Sequence, residues 1–132
     1  MSEGFKLEIV NPERSFLSKE GVSEVVVPAF EGDMGILKDH ISIISFLKPG
    51  LVKVFEGSNE EIFYVDDGIV EFKDNCLSIL TSNIFNIKKM DKNIVRDALA
   101  KAEQDNQKKD ISDQSKYLID QKIEVLKNLT LN

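Results

Sequence analysis

Residues 62–81 read Ile62-Phe63-Tyr64-Val65, Asp66-Asp67-Gly68, Ile69-Val70-Glu71-Phe72, Lys73-Asp74-Asn75, Cys76-Leu77-Ser78-Ile79-Leu80-Thr81: three short apolar runs parted by two groups of turn-forming residues. Runs of this length, rich in β-branched and aromatic residues, are the signature of strands. Gly and Asn in the links tolerate the positive φ of tight hairpin connections. The same grammar extends towards the N-terminus. Residues 51–55 and 41–47 are strand candidates on either side of Pro49-Gly50, and residues 56–60 form a further hairpin-like link to 62–65. Residues 22–27 end at Pro28, and Phe5, Leu7 and Ile9 alternate with Lys6 and Glu8 before Asn11-Pro12. Many short strands at this spacing predict a β-sandwich or flattened barrel.

Beyond Ile87 the grammar changes. All seven Gly, all three Pro and all eight Phe lie in residues 1–87. Residues 88–132 repeat apolar side chains at three- and four-residue steps, as helices do. Asp91 is a candidate N-cap, followed by Ile94, Val95, Ala98, Leu99 and Ala102. The polar tract 103–110 ends that stripe, and Asp110 or Ser112 can cap a second helix carrying Ile111, Leu118, Ile119, Ile123, Leu126 and Leu129. The expected organisation is a β-domain over 1–87 and a helical hairpin over 88–132. Two narrow-striped helices cannot build a core alone, so the hairpin must lean on the β-domain or on another protein.

With 132 residues the chain is one or two small domains, not a large multidomain enzyme. The longest apolar runs are far below the ~18 residues a membrane-spanning helix needs, and Met1-Ser2-Glu3-Gly4 shows no basic or apolar targeting start. A net charge of −6 argues against nucleic-acid binding, which needs Lys and Arg against phosphates. That charge is unevenly split: residues 1–87 carry 7 basic and 15 acidic side chains, residues 88–132 carry 10 and 8. Cys76 cannot form an internal disulfide, and with His40 as the only histidine no Cys/His metal cage is possible, so no metal and a reducing compartment are expected.

Residue chemistry points away from catalysis. No base other than His40 or a carboxylate is present for a Ser-His-Asp arrangement, and no glycine-rich phosphate loop occurs. Glu60-Glu61 and Asp66-Asp67 read as solvated charge in turns, Cys76 as a small buried hydrophobe, and Gly32-Asp33-Met34-Gly35 as a turn. The distinctive stretch is Glu31-Gly32-Asp33-Met34-Gly35-Ile36-Leu37-Lys38-Asp39-His40, an acidic loop that either is ordinary surface or binds a partner.

Together with Ile9-Val10-Asn11-Pro12-Glu13-Arg14, Val25-Val26-Val27-Pro28, Leu47-Lys48-Pro49-Gly50 and Asp67-Gly68-Ile69-Val70-Glu71, that stretch resembles the epsilon-subunit family of bacterial F-type ATP synthases in order and spacing. The resemblance covers essentially the whole chain, and the related mitochondrial delta subunit shares it. It implies a sandwich of about ten strands followed by a helical hairpin. It also implies a noncatalytic rotor subunit between the gamma subunit and the c-ring, peripheral to the cytoplasmic face of the bacterial membrane. By the same resemblance Glu31, Asp33 and His40 face the ring and stalk foot. The resemblance further implies a regulatory mode, in which the hairpin, with its stripe of Ile94, Val95, Leu99, Leu118, Ile119, Ile123, Leu126 and Leu129, leaves the sandwich, extends along gamma to the alpha/beta catalytic head and inhibits ATP hydrolysis.

Two departures stand out. Many relatives have Pro-Gly before the histidine, where this chain has Lys38-Asp39. Some members bind ATP through Ile or Leu, Asp, two variable residues, Arg and Ala; here Met90-Asp91-Lys92-Asn93-Ile94-Val95 puts Ile94 at the arginine position. Arg96 lies two residues on, ~200° around the helix, so no nucleotide or other cofactor is expected. The competing reading from residues alone is a stand-alone ligand-binding β-domain with a helical dimerisation tail.

Overall fold

In the computed structural model, which describes residues 4–89, 92–108 and 110–130, the alternating stretches are strands with one face inward. In β1 (Phe5–Asn11), Phe5, Leu7 and Ile9 are buried and Lys6 is exposed, because successive side chains leave a pleated strand on opposite sides. Among the described residues nine further strands follow: β2 (Arg14–Val22), β3 (Glu24–Ala29), β4 (Gly32–Leu37), β5 (Ile43–Leu47), β6 (Gly50–Glu56), β7 (Asn59–Val65), β8 (Gly68–Lys73), β9 (Cys76–Thr81) and β10 (Ile84–Asn86). Two helices come last, α1 (Lys92–Asn106) and α2 (Asp113–Thr130).

The hydrogen-bonded order is β10-β7-β6-β3-β5-β8-β9-β1-β2, with β4 on the other side of β3. β3 and β5 share a single pair, Ala29 with Leu47, and there the sheet divides into two layers. The first holds β10, β7, β6, β3 and β4; the second holds β5, β8, β9, β1 and β2. Val25, Val27, Val52, Val54 and Phe63 from the first layer pack on Leu7, Leu47, Val70, Phe72, Leu77 and Ile79 from the second in one buried cluster. Each such side chain contributes ~1.5–3 kcal/mol on burial. At one margin Lys19 of β2 reaches across to Glu56 of β6 (2.6 Å) and Glu61 of β7 (2.5 Å). Hydrogen bonds to Glu56 first, then Glu61, raise the lysine's pKa.

Several expectations need correction. Strands β2, β4 and β10 are additional to the residue-by-residue reading, and residues 22–27 are divided between β2 and β3 around Ser23. β2 hid because its pairing with β1 contains two register shifts, which break simple alternation. Gly32-Asp33-Met34-Gly35 is strand, not turn: it pairs with β3 throughout, and Met34 and Ile36 point to the core. The turn is Phe30-Glu31, closed by the Ala29–Gly32 pair. Asp66-Asp67 is no hairpin link but a crossing from β7 in the first layer to β8 in the second. Glu61 is not solvated turn charge, since it lies on β7 and pairs with Lys19. Cys76 is half-buried rather than buried.

Of the two caps considered for α2, Ser112 is used: its Oγ accepts from the Ser115 N–H at 3.1 Å, satisfying a first-turn donor. Asp91 and Met90 lie outside the described residues. Asn106, the last residue of α1, bonds Asp120 and Lys116 of α2, both at 3.1 Å, and so fixes the hairpin's fold-back.

Gly68, at the layer crossing, has no room for a side chain: a Cβ there would meet the carbonyl of Leu80 on β9. Gly68→Ala is expected to destabilise the sandwich by about 1–3 kcal/mol, read as a lower urea midpoint with unchanged slope.

Candidate functional interface

The three residues expected at a partner interface do not form one cluster. Glu31 is exposed in the β3–β4 turn, and Asp33 is exposed on β4 opposite Pro28. His40 follows the other end of β4, and a strand of six residues separates the two ends by ~20 Å. Because the glycine-rich stretch is extended instead of turned, the acidic tip and the histidine are held apart. They bracket β5 instead. Beside Glu31, the Phe30 N–H donates to the Phe46 carbonyl at 3.3 Å. At the other end the His40 ring lies edge-on to Phe72, 5.9 Å between centroids, and Phe72 pairs with Ile43.

His40 is fixed by local bonds. Its Nδ1 carries a proton and donates to the Ile41 carbonyl at 2.7 Å, since a carbonyl can only accept. The preceding Asp39 has φ +65°, a left-handed conformation that costs a residue with a Cβ about 1–2 kcal/mol. Asn75 offsets this cost. The Asp39 N–H donates to Asn75 Oδ1 at 2.7 Å, and Asn75 Nδ2 donates to Asp39 Oδ1 at 2.9 Å. Asp39 thus adopts a conformation that glycine takes without strain, and the β8–β9 turn holds the histidine loop.

The hairpin covers the outer face of the first layer. Val95 and Leu126 are buried against Tyr64, with Leu51, Phe85, Ala98, Leu99, Val125 and Leu129 around them. Leu118, Ile119 and Ile123 are half-buried. Ile94 departs from the expected stripe: it is 52% exposed, being one residue before the buried Val95 and so ~100° away from it. Val125 and Tyr64 were missed by the sequence reading. Tyr64 is a strand residue whose outward position becomes buried only when the helices arrive.

A polar clasp fixes the same seam. The Tyr64 hydroxyl donates to Asp66 Oδ1 at 2.9 Å, and Lys122 Nζ on α2 lies 3.3 Å from that oxygen. Asp66 is therefore not a solvated turn charge. Burial, with Asp66 beside it, pushes the Tyr64 pKa well above its ordinary value, so the phenol stays a neutral donor.

Among the described residues nothing covers the outer face of the second layer. Phe46 pairs with Ile69, Ile69 with Leu80, and Leu80 with Val10, placing these side chains in a row across β5, β8, β9 and β1. Phe46 is 64% exposed, and Ile44, further along β5, is 72% exposed. Contiguous exposed apolar surface of this kind is a candidate contact surface. Its signal in the sequence was consecutive apolar residues, Ile43-Ile44, Ile69-Val70 and Ile79-Leu80, which put apolar groups on both sides of a sheet. Among the described residues no group of His, Cys, Asp and Glu is arranged to hold a metal ion, and no helix is long and apolar enough to cross a membrane.

Two layers of β-strand with a helical hairpin on one outer face define a class. A chain of the Euglena gracilis mitochondrial ATP synthase (OSCP/F1/c-ring) shares this fold with a TM-score of 0.73 at 21% identity, over 98% of this chain and 81% of that one. The family model for the ATP synthase delta/epsilon chain β-sandwich domain matches residues 4–87. The ATP synthase epsilon chain of Pelagibacter ubique (strain HTCC1062) is 68% identical over 98% of this chain and 99% of the relative. Mitochondrial ATP synthase subunit delta of Saccharomyces cerevisiae is 30% identical over 97% and 79%. The chain belongs to the ATP synthase epsilon-chain family.

The clasp gives a pH test. Because the folded-state pKa of Tyr64 is raised above that of the unfolded chain, its stabilising contribution is complete below pH about 10 and declines as pH rises beyond that. Tyr64→Phe is expected to cost about 1 kcal/mol at neutral pH. The gap between wild type and variant in thermal unfolding should close above pH about 10.

Proposed function

We propose that this chain is a noncatalytic rotor subunit of the ATP synthase central stalk, joining the gamma subunit to the c-ring. The observation that carries this reading is the uncovered apolar face of β5, β8 and β9 on a chain so closely related to an epsilon chain over its full length. The solved relative from Tetrahymena thermophila, a chain of the mitochondrial ATP synthase central stalk and c-ring with a TM-score of 0.65, supports the same setting. An apolar face fits the persistent protein contact that gamma would make, and the polar ends suit the polar loops of the ring. Glu31 and Asp33 at one end and His40 at the other are assigned to contacts at the rim. As part of the complex the chain sits on the cytoplasmic face of the bacterial membrane without entering it.

The domain division is taken as 1–87 and 88–132, with the hairpin acting as the inhibitory element. Its seat on the sandwich is one apolar cluster around Tyr64, Val95 and Leu126, the Phe30–Tyr117 stack and the Asp66–Lys122 pair. Exchange of this seat for gamma and the alpha/beta head requires the two dockings to lie within a few kcal/mol of each other. The exposed Ile94 at the arginine position of the ATP-binding motif supports inhibition that is independent of nucleotide binding by this subunit. The packing of the helical stripe on its own sandwich disfavours a dimerisation tail.

Two experiments test this. Phe46→Glu places a charge in the centre of the apolar face, and is expected to abolish co-purification with gamma from detergent-solubilised membranes; wild-type recovery would remove the face from the interface. Deleting residues 88–132 is expected to raise ATP hydrolysis by the assembled enzyme while assembly persists. Unchanged hydrolysis would show that the tail is not inhibitory.

A further inference from the structure

The covered and uncovered faces of the sandwich meet at one residue. Phe30, in the β3–β4 turn, lies beside the β3–β5 corner where the two layers divide. Its ring is 6.5 Å from that of Phe46 at an interplanar angle of 67°, and stacks at 6.1 Å and 24° on Tyr117 of α2. Tyr117, Phe30, Phe46, Ile69 and Leu80 therefore follow one another without a break, from the hairpin across the corner onto the second layer. Phe30 remains 36% exposed and Tyr117 41% exposed. Tyr117 lies outside the cluster of Tyr64, Val95 and Leu126 and adds a separate contact at the edge of the seat, through its stack on Phe30.

We infer that the docking face for gamma is composite, with the seated α2 supplying Tyr117 to it, so that gamma binding and hairpin seating strengthen each other. This rests on gamma occupying the β5–β8–β9 face. A partner covering Phe46 and Phe30 meets the Tyr117 ring only while α2 is seated, so it binds the seated form better than the released one. Such differential contact shifts the equilibrium towards seating, and the effect is reciprocal. In the assembled stalk, release of the hairpin therefore also forfeits the Tyr117 contact, which new packing of the helices on gamma and the alpha/beta head must outweigh.

The test uses the full chain as wild type, Phe46→Ala, Tyr117→Ala and Tyr117→Phe, each titrated with purified gamma, with hydrogen exchange of the α2 amides followed with and without gamma. Tyr117→Ala is expected to weaken gamma binding about five-fold, the scale of one aromatic contact, and Tyr117→Phe to bind as wild type. Gamma should slow α2 exchange by a similar factor in wild type and leave it unchanged in Tyr117→Ala. If Phe46→Ala weakens binding but Tyr117→Ala does not, the composite face is wrong and the docking face stands. If gamma speeds α2 exchange, the hairpin competes with gamma, which also overturns the inference. If Phe46→Ala binds as wild type, the docking face itself fails, and the inference with it.

Discussion

A strand with apolar side chains at consecutive positions presents apolar surface on both sides of its sheet, and each side needs a cover. This constraint organises the molecule. Within the sandwich the two layers cover each other through Val52, Phe63, Val70, Phe72 and Ile79. That leaves two outer faces. The hairpin takes the first, where Leu51, Tyr64 and Phe85 lie, and nothing among the described residues takes the second, where Ile44, Phe46 and Leu80 lie. A subunit built this way is saturated on one side and open on the other, which suits a part whose place in a larger assembly has a fixed orientation.

The two outer faces are held with different firmness. The hairpin's seat combines a small apolar cluster with one charged pair, Asp66–Lys122, and side chains at such a seam stay partly wet, as the 25% exposure of Lys122 illustrates. A pair of this kind contributes ~1 kcal/mol or less. The sandwich core, by contrast, has many side chains with no exposure at all. The hairpin, with the smaller cluster beneath it, is the element that local opening releases most readily.

Much of this was legible in the sequence because it is local. The change from period two to helical spacing after Ile87, the turn at Asp74-Asn75 and the helix-capping Ser112 each depend on a few neighbouring residues. What was hidden depends on partners distant in the chain. Asp66 reads as a turn carboxylate until Tyr64 and Lys122 are brought beside it. Gly32 and Gly35 read as a turn because nothing nearby reveals that β3 offers a full row of backbone partners. Alternation tells which side chains of a strand share a face, but not which outer face the hairpin will choose. That choice left Tyr64 buried and Phe46 exposed, although both are aromatic residues on the outward side of a strand. The placement of Glu31 and His40 at opposite ends of β4 follows from the same misread turn.

The pairing of β1 with β9 is parallel and joins residues 6–10 to residues 76–80. β1 therefore lacks one of its two neighbours until most of the β-domain has been synthesised. Until then β1 has only β2 beside it, and its other edge is open to pairing with foreign strands. Contacts this far apart in the chain slow folding. The hairpin's landing site is made in the first layer, where Tyr64 and Phe85 come together once β7 and β10 are paired. The helices follow the strands in the chain, and so they dock onto a layer already synthesised.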